Sequence, residues 1–121
     1  MLPTLKKILS HSEDQQMDSN LPLSEQYRLI AKKWVDADAA ASILEETKSA
    51  YLSSCMLALG DMPVSRAEMT TKGSKDWNEH VISIVEARKK ANLLKVQLEY
   101  IRMKFSEWQS LEASKRAEMR L

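Results

Sequence analysis

Cys55 and His80 are the residues in this chain whose types suggest nucleophilic chemistry. A thiol beside an imidazole is the start of a nucleophile–base dyad. If two long helices fold back on one another around residue 67, the two fall in one layer near the turn. The third group such a dyad needs is missing. Glu79 adjoins His80 but points about 100° away around a helix. No glycine-rich oxyanion loop lies nearby. The pair reads as a small apolar cysteine packed against a half-buried histidine, and no catalytic residue is assigned.

The carboxylates Asp36, Asp38, Glu45 and Glu46 cluster on one predicted helix. A dinuclear metal bundle wants Glu-x-x-His pairs projecting inward. No Asp or Glu here is followed by His three residues later. Cys55 is the single cysteine, so it builds neither a disulfide framework nor a cysteine zinc site. Phosphate-binding glycine loops are absent from a chain with two glycines. The expectation is no metal, no cofactor and no enzyme activity.

The densest basic stretch is Arg88-Lys89-Lys90, followed by Lys95, Arg102 and Lys104. A basic helical stripe can follow a phosphate backbone. Arg88 has an expected partner in Glu45, which leaves Lys89, Lys90 and Lys104 as candidate nucleic-acid contacts. The balance of 18 Lys and Arg against 17 Asp and Glu weighs against a general nucleic-acid binder. The last stretch offers a different surface. Leu111, Lys115, Arg116, Met119, Arg120 and Leu121 mix apolar and basic groups beyond the apolar seam, and they are the candidate contacts for a larger protein partner.

The elements that must position these residues are written in two apolar seams. Tyr27, Ile30, Trp34, Ala37, Ala41, Leu44, Lys48, Tyr51, Cys55 and Ala58 advance in steps of three and four. His80, Ile84, Ala87, Ala91, Leu94, Leu98, Ile101, Phe105 and Trp108 do the same. Such heptad spacing predicts long helices packed on helices. The fold class expected is all-α, an antiparallel two-helix coiled-coil hairpin with a short connecting helix. Its helices should span about 23–60 and 74–110, with a connection over 61–73 and a helical tail over 111–121. Residues 1–22 form a flexible extension before this hairpin domain of residues 23–121.

Local signals set the boundaries. Asn20 or Ser24 can cap the first helix, Pro22 suits its start, and Gly60 stops it. Ser65 with Glu68 reads as a capping box for a short helix over 66–72. Ser74 caps the second long helix, with Asp76 and Glu79 near its positive end. From Ser74 to Leu121 there is neither glycine nor proline.

Folding back around residue 67 sets a register. Tyr27 should face Trp108, Trp34 should face Ile101, and Ala41 should face Leu94. Along the flank, Glu45 should meet Arg88 and Asp38 should meet Lys95. Lys48 is the polar defect in the seam, opposite Ala87, where it can extend outward. The aromatic side chains, Phe105 and Trp108 included, are expected in the core. Val81, Val85, Leu93, Val96, Met103, Ile43 and Leu52 lie off the seams and widen the apolar face. A symmetric homodimer forming a four-helix bundle is the expected cover.

Glu86-Ala87-Arg88, with Ala91, Leu98, Trp108 and the closing Arg116-Ala117-Glu118 and Leu121, resembles small helical proteins of temperate bacteriophages and prophages. The resemblance covers about residues 27–121. It implies a phage or prophage setting, a bacterial cytoplasm, and a role near DNA-processing machinery, and it carries no catalytic residues. The function expected is a non-enzymatic adaptor or modulator binding a larger protein, with nucleic-acid binding as the alternative. No apolar run approaches the length that crosses a membrane, and no signal-peptide core follows Lys6 and Lys7. A cytoplasmic protein without a membrane partner is therefore expected.

Overall fold

The computed structural model describes residues 20–120, so the extension expected over 1–22 falls almost wholly outside it, as does Leu121. The described residues form four helices and no strand: α1 (Leu23–Glu46), α2 (Lys48–Ala58), α3 (Val64–Lys72) and α4 (Lys75–Met119). The first expected helix is thus divided. At Thr47 the hydroxyl donates to the Ile43 carbonyl at 2.7 Å, beside a backbone bond to the same oxygen at 3.0 Å. A side chain that competes for the carbonyl one turn back bends a helix. The chain passes through Thr47 at φ −89° and ψ 0° and resumes as α2.

The other boundaries follow local chemistry. α1 starts after Pro22, which stands at the cap position. Gly60 turns the chain at φ +81°, a conformation only glycine adopts freely. α3 begins after Pro63 without the expected capping box, because Glu68 instead pairs with Lys72 at 2.7 Å. Ser74 does cap α4, accepting from the Trp77 amide at 3.2 Å. With no breaker after it, α4 runs unbroken for 45 residues and absorbs the expected tail into the same helix.

α1 and α4 share the main interface and run in opposite directions, since Tyr27 meets Arg102 while Glu45 meets Arg88. Ile30, Leu98 and Ile101 form the buried cluster, with Leu23, Tyr27, Ala31, Trp34 and Leu94 packed on it. Ala41 and Ala91 are wholly buried. Small side chains there let the two backbones approach closely, as core packing density requires. α2 packs mainly on α3, whose Ala67 and Thr71 are buried beneath it.

Two parts of the expected register are corrected. Arg102 donates to the Tyr27 hydroxyl at 3.0 Å and lies over its ring, where Trp108 was the expected partner. α1 begins at Leu23, and the buried line on α4 stops at Ile101. Phe105 and Trp108 consequently lie beyond the packed part and are exposed, 45% and 52%, where the seam placed them in the core.

Candidate functional site

The connection end carries the aromatic residues. Tyr51 of α2 lies flat on His80 of α4, with ring centres 3.8 Å apart. Trp77, one helical turn before His80, is 6.1 Å from Tyr51 and 7% exposed. The Lys48 ammonium stands 5.9 Å from the Trp77 ring, a cation over an aromatic face. This polar defect in the seam therefore closes the aromatic cluster. Cys55 lies one turn along α2 from Tyr51. The neighbouring thiol raises the Tyr51 phenol above its ordinary range, with burial adding to the effect.

The thiol–imidazole dyad is not assembled. His80 Nε2 is buried and has no hydrogen-bond partner among the described residues. The face of the ring is occupied by Tyr51. Among the described residues no group of three or more His, Cys, Asp or Glu is placed to hold a metal ion.

Arg88 ties the two long helices together midway. Its Nη1 donates to Asp38 at 2.7 Å, and its Nε and Nη2 reach both oxygens of Glu45 at 3.0 and 2.7 Å. Nη2 also reaches Ser42 at 3.3 Å. The Glu45 pairing is the expected one. Asp38, expected beside Lys95, shares the same guanidinium, whose planar fork serves two carboxylates at once. The Arg88 hydrogen bond holds Glu45 below the usual carboxylate range, and the two carboxylates raise Arg88.

The candidate lysines converge. Lys89, Lys90 and Lys104 are exposed and border one open groove along α4, with Lys33 of α1 on the opposite wall. Asp36 and Glu86 lie on the same walls, which mixes the sign of the field. The Lys104 ammonium lies 5.5 Å from the Tyr100 ring.

The candidate docking residues stand on the free end of α4. Phe105 and Trp108 stack on each other at 5.9 Å. Leu111 is exposed and Met119 more so. Lys115 approaches Glu112 at 3.7 Å within the same helix. Arg116 lies in the last turn and Arg120 at the cap, where cations suit the negative end of the helix. Leu121 lies outside the described residues. The sequence reading missed Phe105 and Trp108 as members of this surface.

No family model matches this chain, and comparison with curated proteins and with solved structures finds no match. No helix among the described residues is long and apolar enough to cross a membrane.

Proposed function

We propose that this protein is a non-enzymatic interaction protein: a coiled-coil hairpin of α1 and α4 that acts as a homodimer and captures a larger protein through the free end of α4. The observation that carries this reading is the length of α4. It continues well past Arg102, which meets Tyr27 near the start of α1, to Met119, and displays Phe105, Trp108, Leu111 and Met119 to solvent. Exposed aromatic and apolar side chains at helical spacing are the anchors that helix-in-groove recognition uses. The heptad seam, with Ala41, Ala91 and Leu98 buried along it, supports the coiled-coil reading. A partner in DNA-processing machinery, and a phage or prophage setting in a bacterial cytoplasm, are the proposals that the resemblance to small phage proteins supports.

A second reading is direct nucleic-acid binding through Lys89, Lys90 and Lys104, favoured by their convergence on one groove. One experiment separates the two. Affinity capture from a lysate of the native host is run with and without nuclease, using the full chain, a chain ending at Ser110, and Lys89→Glu with Lys90→Glu. The adaptor reading expects a nuclease-resistant partner that is lost only on truncation, with the remaining helix retained by circular dichroism. Binding that is lost with nuclease, with the charge reversals and with rising salt overturns it in favour of nucleic acid. Unfolding of the truncated chain shows that the free end is core and ends the docking reading.

A further inference from the structure

α1 and α4 leave an open groove along one side of their contact. Its two walls advance in matching steps of three and four. On α1 the wall passes from Gln26 through Ile30, Lys33 and Ala37 to Ala40. On α4 it passes from Lys104 back through Ile101, Gln97 and Leu94 to Lys90. The pairing of Tyr27 with Arg102 and of Glu45 with Arg88 puts Gln26 and Lys104 at one end of the groove, and Ala40 and Lys90 at the other. At the helical rise each wall is about 21 Å long.

The groove changes character along its length. The half that begins at Gln26 holds Lys104 and Lys33. Farther in, its floor is Ala37, Leu94, Ala40 and Ala87, and the acidic groups on its walls are Asp36 and Glu86. Small side chains on that floor leave room for larger apolar ones. Lys89 and Lys90 lie on the exposed rim of the same half.

The chain enters at the lysine end. Gln26 is 9% exposed and donates from Nε2 to the Leu21 carbonyl at 2.7 Å, which pins the residue before Pro22 to the mouth of the groove. Asn20 forms a turn and Leu21 a bend immediately ahead of α1. A chain that turns just before a helix can double back along it. The order of the preceding residues then matches the order of the groove. Counting back from Asn20, the acidic groups Asp18, Asp14 and Glu13 come first, and the apolar groups Leu9, Ile8, Leu5 and Leu2 follow, with Lys6 and Lys7 among them.

We propose that residues 2–18 of this chain occupy the α1–α4 groove and run antiparallel to α1. Asp18, Asp14 and Glu13 lie against Lys104 and Lys33, Leu9, Ile8 and Leu5 cover the alanine floor, and Lys6 and Lys7 come towards Asp36 and Glu86. Length permits this, since about 21 Å takes roughly 14 residues at the helical rise and about six when extended. Tethering also favours it. A segment joined at the mouth of its site is present there at an effective concentration in the millimolar range, ahead of an acidic peptide from another protein. The inference is independent of the adaptor reading, which concerns the far end of α4. It bears on the nucleic-acid reading, because an acidic segment between Lys33 and Lys104 keeps a phosphate backbone out by charge and by bulk.

Disulfide trapping in a Cys55→Ser chain tests the placement. Leu9→Cys is combined with Ala37→Cys in the groove, or with Val96→Cys, which is exposed on α4 outside it. Ala37 is the choice because it lies about 17 Å along α1 from Gln26, while Leu9 at the same rise is about 18 Å from Leu21. In dilute protein the Ala37 pair should close an intramolecular disulfide about tenfold faster than the Val96 pair, because the bond needs Cα atoms within ~7 Å. Lys104→Glu should slow that closure, and adding Asp18→Lys should restore it. Circular dichroism checks that each variant is helical, and Leu5→Cys with the exposed Ala40→Cys replaces the Ala37 pair if that one unfolds. Equal closure at Ala37 and Val96 overturns the proposal, as do bonds that join two chains instead of closing one. A rate indifferent to both charge reversals removes the acidic match and with it the choice of this occupant. No trapping at either Ala37 or Ala40 also overturns it, and gives the groove to an acidic helix of another protein or to nucleic acid.

Discussion

The two ends of α4 carry similar residues in opposite circumstances. Near the connection, Trp77 stacks with Tyr51, lies tilted beside His80 and is 7% exposed. At the other end, Trp108 stacks with Phe105 and is half exposed. Both tryptophans satisfy the same heptad spacing. Trp77 has α2 beside it, while α1 begins too late to reach Trp108. A seam says which side of a helix is apolar, and the partner's length decides how much of that side is core.

The largest effect expected from this contrast is on stability. Trp77→Ala should cost about 3–5 kcal/mol, the loss typical of a buried aromatic side chain. Trp108→Ala should fall within ~0.5 kcal/mol of the parent, as exposed substitutions usually do. Urea denaturation followed by circular dichroism measures both. Equal losses would erase the distinction between the ends.

Overpacking gives the next test. Ala91 is wholly buried and Ala113 exposed on the same helix. Ala91→Trp should cost about 1–3 kcal/mol or more by forcing α1 and α4 apart. Ala113→Trp should leave the denaturation midpoint nearly unchanged. A matching loss at Ala113 would show that something covers the free end.

The smallest effect concerns pH. Glu45 is held below the ordinary carboxylate range by Arg88 across the helix pair. Its contribution to stability is present above the ordinary carboxylate pKa. It is lost as pH falls through the depressed folded value, where the unfolded chain binds the proton more readily. Glu45→Gln should flatten that acid limb in a series of thermal melts. Glu112→Gln should not, because its lysine partner lies on the same helix. An unchanged acid limb in Glu45→Gln would remove the cross-helix pair from the account.

Much of the helix pair was legible because single residues dictate it. Gly60 and Ser74 mark their boundaries by backbone chemistry, and Glu45 with Arg88 sets the alignment midway. Paired alanines mark the closest approach. What escaped was competition between signals of similar strength. Thr47 can continue a helix or bend it, and its hydroxyl chose the carbonyl of Ile43. Pro63 started α3 without the serine and glutamate that spell a capping box. Arg102 is long enough to claim Tyr27 from beyond the expected layer, so the alignment drifts where side chains are long. The candidate site was legible only as composition. That Lys89, Lys90 and Lys104 share a groove, and that Phe105 joins the exposed end, depends on where a second helix stops.

The unbroken course of α4 also makes it a cantilever. Forty-five residues at 1.5 Å each give a rod about 68 Å long, clamped along its first portion by α1. Past the clamp, among the described residues, the turns are held by bonds and side-chain contacts within the same helix, and an isolated helix of that length is marginal in water. Unwinding can begin at Arg120 and move inward with no buried residue among the described ones to oppose it until Ile101. The tip therefore trades order for reach, and whatever seizes it gains leverage on the clamp through one continuous lever.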